Sequence, residues 1–407
     1  MRLRYFIFLI VLISACSKEE LNAPFSADLV KIYSGENESV IDNLIITDRG
    51  FYVQFSSGSG NSASTLVHFD NDANEQWRSE VFTAEGLFFR DIWGIVPEAN
   101  GSITYFFEEG YRLRIGPDGE IGELEPFFLE DMEVSVPDNS LEEGIYYVAS
   151  GVELSSTGNY LTYGYINTLN RGFFSSHSPD GSLIFRKFFV EGLPELNAIS
   201  DIVELPDGSF ILYGLQQSSA DSISANIVLR HLDAEGEIIR QSLFPFGEPV
   251  RNDIFNFREN YIFTKSMKIL PSGGYVLTAN EPDPTALPQS ARILLVGDSL
   301  DYLSEEIVDL SPKNFIESIP FGRDFGSVFC VNQIVEHIDS QDANTVPRNH
   351  AAYSLELNDF GKVIESAFVS RREDIYLTGA GKLANGRTIL IGSNPFDNKL
   401  NAMILLR

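Results

Sequence analysis

Five histidines, two cysteines and 58 acidic residues are the groups from which this chain of 407 residues could assemble a reactive centre. Their spacing argues against most such centres. His68, His177 and His231 each stand just ahead of an acidic turn, in HFDND, HSPDG and HLDAEG. That recurrence marks one repeated structural position rather than a zinc cluster or a triad. His337 and His350 complete the set, and no His-x-x-x-His, CxxC or HExxH spacing occurs. Asp70-Asn71-Asp72-Ala73-Asn74 carries oxygen ligands at alternate positions, as calcium loops do. Glu75 stands where such a loop needs Gly, however, and Val81 where it needs a bidentate Glu, so a strand-joining turn is expected. Cys330 lies in the apolar run Val328-Phe329-Cys330-Val331 and reads as a small buried hydrophobe. No G-x-S-x-G elbow or phosphate-cradling loop is found, and no carboxylate pair stands out for glycoside chemistry. No cofactor, metal or catalytic residue is expected.

The elements around these residues repeat. A strand, a turn ending in Gly and an aromatic-rich strand recur at Gly50, Gly101, Gly158, Gly208, Gly273, Gly326 and Gly386, at steps of roughly 50 to 65 residues. After each of the first six copies comes a second hairpin joined by an acidic turn, as in FFSSHSPDGSLIFRKFF. Each unit is then four antiparallel strands that must stack on neighbours to bury both faces. The seventh unit lacks one strand, with room only for Leu400 to Leu406, while residues 28–33 (DLVKIY) form a lone strand ahead of the first unit. Circular closure follows as the economical solution, because it removes open sheet edges. The fold class expected is all-β, a seven-bladed β-propeller of four-stranded blades closed by residues 28–33. Asp207-Gly208-Ser209-Phe210 and Ser272-Gly273-Gly274-Tyr275 resemble bacterial propeller repeats with a D-G-[GS]-[FY] strand start. These motifs specify turns and not chemistry. The Asp-box of sialidases and the tryptophan motifs of quinoprotein propellers are missing, with only Trp77 and Trp93 in the chain.

A propeller of this kind would bring the loops between blades to the mouth of its channel. Those loops collect Arg90, Asp91, Trp93, Tyr146, Tyr147, Asp201, Arg251, Arg258, Arg371 and Arg372. Arginines are scarce here, so this rim could select an anionic or polar ligand, with aromatics stacking on sugar rings. The alternative is that these groups pack loops or sit in water.

Residues 1–15 have the build of a secretory signal. Arg2 and Arg4 precede the apolar run Tyr5 to Ile13, which is too short to span a bilayer as a helix. Ile13-Ser14-Ala15-Cys16 resembles a bacterial lipobox, which implies cleavage before Cys16 and acylation of its thiol. Lys18, Glu19 and Glu20 resemble the export signal of surface lipoproteins in the Bacteroidota. The domain reading is 1–15 signal peptide, 16–27 lipidated tether and 28–407 one propeller. An ordinary signal peptide and a periplasm-facing anchor remain the alternatives.

Composition narrows the function class. Lys and Arg total 29 against 58 Asp and Glu, a net charge of -29, so nucleic acid is excluded as a partner. The expected function is a monomeric, non-enzymatic binding or scaffolding propeller, lipid-anchored in the outer membrane and facing the exterior, with an outer-membrane protein or a glycan as partner. The competing readings are a carbohydrate hydrolase or lyase using rim carboxylates, and a structural accessory of an outer-membrane uptake complex.

Overall fold

The computed structural model describes residues 23–24, 26–33, 40–56, 64–81, 92–107, 110–127, 147–166, 171–189, 197–217, 225–247, 267–280, 291–308, 315–318, 328–336, 349–371, 376–394 and 401–407. Two short strands come first, Ala23–Pro24 (β1) and Leu29–Tyr33 (β2). The first blade is Val40–Thr47 (β3), Gly50–Ser56 (β4), Ser64–Phe69 (β5) and Glu75–Val81 (β6). The second is Ile92–Pro97 (β7), Ile103–Phe107 (β8), Tyr111–Ile115 (β9) and Ile121–Pro126 (β10). The third is Tyr147–Leu154 (β11), Tyr160–Ile166 (β12), Arg171–His177 (β13) and Leu183–Phe189 (β14). The fourth is Asn197–Glu204 (β15), Phe210–Gln217 (β16), Ala225–Leu232 (β17) and Ile238–Gly247 (β18). The fifth is Met267–Ile269 (β19), Tyr275–Asn280 (β20), Ala291–Val296 (β21) and Tyr302–Val308 (β22). Next come Phe315–Ser318 (β23), Val328–Glu336 (β24), Asn349–Leu357 (β25) and Val363–Arg371 (β26). Tyr376–Lys382 (β27), Thr388–Asn394 (β28) and Asn401–Leu406 (β29) finish the order.

The sheets form a β-propeller of four-stranded antiparallel blades. Within each blade the first strand lies innermost and the fourth outermost; innermost strands touch from β27 through β3, β7, β11 and β15 to β19, and the five-stranded sheet meets its neighbours through β20 with β23 and β24 with β27. The closing blade takes its outer strand from the start of the ring, since β2 pairs antiparallel with β29 from Leu29↔Leu406 to Tyr33↔Ala402. This is the closure expected for residues 28–33. The blade count needs correction. The repeat predicts seven four-stranded blades, whereas six sheets are built that way and the remaining one has five strands, β1-β26-β25-β24-β23. Ala23 and Pro24 pair parallel with Ala367 and Phe368, so two residues read as tether cover part of an otherwise open edge. Pro24 lacks an N–H and so donates no bond to this ladder.

The core lies in the seams between sheets. Ile389, Ile391 and Ile404 of the closing blade meet Phe51, Phe55 and Phe69 of the first. Further apolar clusters join first to second, second to third, third to fourth and fourth to fifth blades. Two more join the fifth blade to the five-stranded sheet and that sheet's Val369 to the closing blade. A strand covered on both faces must be apolar throughout. Accordingly β8 (ITYFF) and β12 (YLTYGYI) are buried along their whole length, while the outer strand β10 (IGELEP) is largely exposed.

The tight turns have one construction. Gly208 N–H donates to Leu205 O at 2.9 Å and Leu205 N–H to Ser209 O at 2.8 Å, while Asp207 Oδ1 accepts from Ser209 N–H at 3.0 Å. Gly208 has a φ of 82°, which an L side chain rarely adopts. The same turn joins the second hairpin of the first five blades and of the five-stranded sheet. There Ala73 and Leu300, at φ 60° and 56°, are the non-Gly exceptions, and both side chains are buried in seams.

Two substitutions separate backbone strain from crowding. A Cβ at Gly208 meets nothing within 4 Å, so Gly208→Ala should cost about 1–2 kcal/mol, the left-handed penalty alone. A Cβ at Gly181 falls 2.6 Å from Phe127 O in the neighbouring blade, so Gly181→Ala should lose more. Urea midpoints check the order, and equal losses would contradict it.

Candidate functional site

Antiparallel strand order gives the ring two unlike faces. All the tight turns described above lie at one end of the blades, the turn face. The connections between the second and third strands, and from each blade to the next, leave from the opposite end, the loop face.

Trp93, Tyr147 and Arg371 are placed by backbone near the loop-face ends of β7, β11 and β26. Arg90, Asp91, Tyr146, Arg251, Arg258 and Arg372 lie outside the described residues, as do Cys16, Lys18, Glu19 and Glu20.

Asp201 is fully described and does not stand on a rim. It is 0% exposed. Its Oδ1 accepts from Ile202 N–H at 2.8 Å, and its Oδ2 accepts from Met267 N–H at 2.8 Å. The carboxylate therefore staples β15 to the next innermost strand, β19. A bulge between Ile199 and Asp201 turns it into the seam. Bulges recur at the same level in β3, β7, β11 and β27. Their surroundings supply related staples: Ser150 Oγ donates to Ile199 O, and Ser393 Oγ accepts from Ile41 N–H at 2.8 Å.

A second charged cluster was invisible in the sequence. Glu98 Oε1 accepts from Thr104 Oγ1 (2.6 Å), Tyr160 OH (2.9 Å) and Arg114 Nη2 (3.0 Å) and Nε (3.2 Å). Burial is the largest influence and pushes the carboxyl pKa up, but these donors together hold it below the ordinary range. Burial, and then the Glu98 charge, raise the pKa of Tyr160. An ionised carboxylate between a neutral phenol and a guanidinium clamps second blade to third.

The three repeat-position histidines lie near the ends of β5, β13 and β17 and do different work. His68 stacks on Tyr52, with ring centroids 4.3 Å apart at 14°, and burial is the chief reason its pKa is lowered. His177 is 1% exposed, and burial, then the charge of Arg186, lower its pKa to about 4. His231 Nε2 lies 3.0 Å from Ser209 Oγ. Among the described residues no group of three or more His, Cys, Asp or Glu could hold a metal. Asp70 spends its carboxylate on Asp72 N–H (2.9 Å), Asn74 N–H (2.8 Å) and the amides of Asn74 and Gln76 (both 3.1 Å), which is the turn expected there.

Among the clefts on the described surface are two between neighbouring blades. One of about 340 Å³ lies at the turn-face end of β11, β15 and β19, between Glu153, Val203, Glu204, Lys268 and Ile269. Glu204 already accepts from Ser156 N–H and Oγ. The other, about 630 Å³, separates the outer strands of the fourth and fifth blades, between Arg240, Leu243, Pro245, Tyr302 and Glu305.

No protein-family model and no curated protein matches this chain. Similar solved structures include Raptor from Chaetomium thermophilum, at 10% identity and a TM-score of 0.50, matching 91% of this chain and 28% of that one. The Dos1 propeller matches at 10% identity and 0.47, over 94% of each chain. BamB from Moraxella catarrhalis matches at 10% identity and 0.42, over 93% of this chain and 98% of that one. At such identities the likeness is one of fold alone.

If Asp201 is a staple, Asp201→Ala should cost about 2–3 kcal/mol of stability by stranding Met267 N–H. Unchanged stability would return Asp201 to the list of functional groups. The histidines set a pH dependence. Below pH 6.5 the unfolded chain takes up a proton that His177 refuses until about pH 4. Stability should therefore be complete above pH 6.5 and fall as pH drops toward 4. A Tm series between pH 7 and 5 should flatten in His177→Asn, and an unchanged slope would remove His177 as a cause.

Proposed function

We propose that this chain is a lipid-anchored surface propeller that binds or scaffolds an envelope protein or a glycan without turning it over. One observation carries the reading. Described polar groups such as Asp201, Ser150 and Ser393 tie one blade to the next, which leaves the expected arginine and aromatic rim as the surface proposed for binding. Asp201, the rim carboxylate that is fully described, is a seam group, which weighs against catalysis by it. Residues 1–15 would be removed as the signal, Cys16 would carry the acyl chains, and Lys18, Glu19 and Glu20 would direct export to the outer face. Arg90, Asp91, Trp93, Tyr146, Tyr147, Arg251, Arg258, Arg371 and Arg372 would form the binding face.

The full-length chain in detergent, scanned by thermal shift against acidic and neutral glycans, should show an upward shift with one class. About 2.7 kcal/mol is expected at a hundredfold excess over Kd. The shift should vanish in the variant carrying Arg251→Ala, Arg258→Ala, Arg371→Ala and Arg372→Ala. A shift that survives those substitutions would sink the rim, and turnover of the ligand would sink the non-enzymatic reading.

A further inference from the structure

Phe360 breaks a rule that the other turns keep. The third residue of the tight turn is Asn100, Thr157, Asp207, Ser272 or Asn385 in first hairpins, and Asp72, Asp118, Asp180, Glu235 or Ser299 in second hairpins. In the five-stranded sheet it is Phe360, whose 66% exposure is the highest of any large apolar side chain among the described residues. The turn itself is well made. Asn358 Oδ1 accepts from Phe360 N–H at 2.9 Å and Lys362 N–H at 3.1 Å, and Asn358 N–H donates to Lys362 O at 2.9 Å. The backbone thus holds an apolar ring out in water at a place where the other turns present a polar side chain. Exposed Lys362 and Ile364 (56%) flank it.

This same sheet receives β1. The strand β26 runs from the turn face to the loop face, starting beside Phe360, and β1 is parallel to it. The chain therefore enters Ala23 from the turn-face side. Seven residue steps separate Cys16 from Ala23, a span of at most about 25 Å. From Ala367, opposite Ala23, strand β26 runs back four steps to Val363, about 13 Å at strand rise, and the turn that holds Phe360 lies just beyond. An acyl anchor at Cys16 therefore lies within about 25 Å of Ala23, close enough for the turn of Phe360 to reach the membrane.

We infer that Phe360, with Ile364 and Lys362, is a lipid contact that seats the turn face of the five-stranded sheet on the bilayer and points the loop face away from it. The inference rests on the proposed anchor at Cys16. The occupant is a lipid surface, because an anchor within about 25 Å of Ala23, on a chain that enters β1 from the turn-face side, keeps the membrane within reach of that turn. An aromatic ring flanked by a cation and an aliphatic side chain suits the boundary between headgroups and acyl chains. In so acidic a chain, the polar residues of the other turns would be repelled by or indifferent to that boundary.

The test uses the full-length lipidated chain in vesicles whose acyl chains carry bromine, a contact quencher of tryptophan. Phe360→Trp should lose most of its added emission on reconstitution, read as the difference from wild type. Ser64→Trp, at the loop-face end of β5, should keep its emission. Matching thermal melts show that both variants fold. Undiminished added emission from the Phe360→Trp variant, in chains that float with the vesicles, would overturn the orientation while leaving the anchor intact. Chains shown by mass to lack acyl groups would overturn the anchor, and the orientation with it.

Discussion

The hydrogen bonds between Leu29–Tyr33 and Ala402–Leu406 tie the start of the ring to its end, and the rest of the structure depends on them. No blade buries both faces alone. The first blade packs Phe51, Phe55 and Phe69 against Ile389, Ile391 and Ile404 of the closing blade, and β2 adds Leu29 and Tyr33 to that seam. A fully buried side chain of this size contributes about 1.5–3 kcal/mol. An open ring would leave the whole seam to water, and strain would pass to each neighbour in turn. Lys31 adds a polar latch, donating from Nζ to Ala73 O in the first blade.

The same latch is reused around the ring with different side chains. Trp77 Nε1 donates to Pro117 O at 2.7 Å and Ser79 Oγ to Gly119 O, so the outer strand of the first blade grips the second hairpin turn of the next. Phe127 lies against Gly181 and Phe185 against Gly236 in the same relation. Seam staples at the inner strands and turn grips at the outer strands tie neighbouring blades at two radii, as between third and fourth, where Ser150 Oγ donates to Ile199 O and Phe185 lies against Gly236. Exposed ion pairs such as Lys187 with Glu237 add little beyond this, because water screens them. A frame so tied leaves variation to the loop face, which is where a binding surface can change without cost to the ring.

Legibility in the sequence followed the range of the interactions. The Asp207-Gly208 turn and its relatives were readable because their hydrogen bonds lie within five residues. The closing strand was readable to within a residue, because an alternating segment stood unpaired at one end and a unit lacked a strand at the other. The fifth strand was not, since Ala23–Pro24 is too short to show a period. The burial of Asp201 was hidden by the bulge after Ile199, which breaks the alternation that assigns residues to faces. The Glu98 clamp was hidden because Tyr160 is 62 positions away and neither residue belongs to a motif. Phe360 was visible as a residue but not as an anomaly until the turns could be superposed by their hydrogen bonds.

Closure is most directly tested by native-state hydrogen exchange resolved to single amides. If β2 seals the ring, its laddered amides between Leu29 and Tyr33 should exchange only through global opening, with the protection of the Ile389–Gly392 amides in β28. Exchange of those β2 amides at the rate of a frayed terminus, with β28 still protected, would contradict the account.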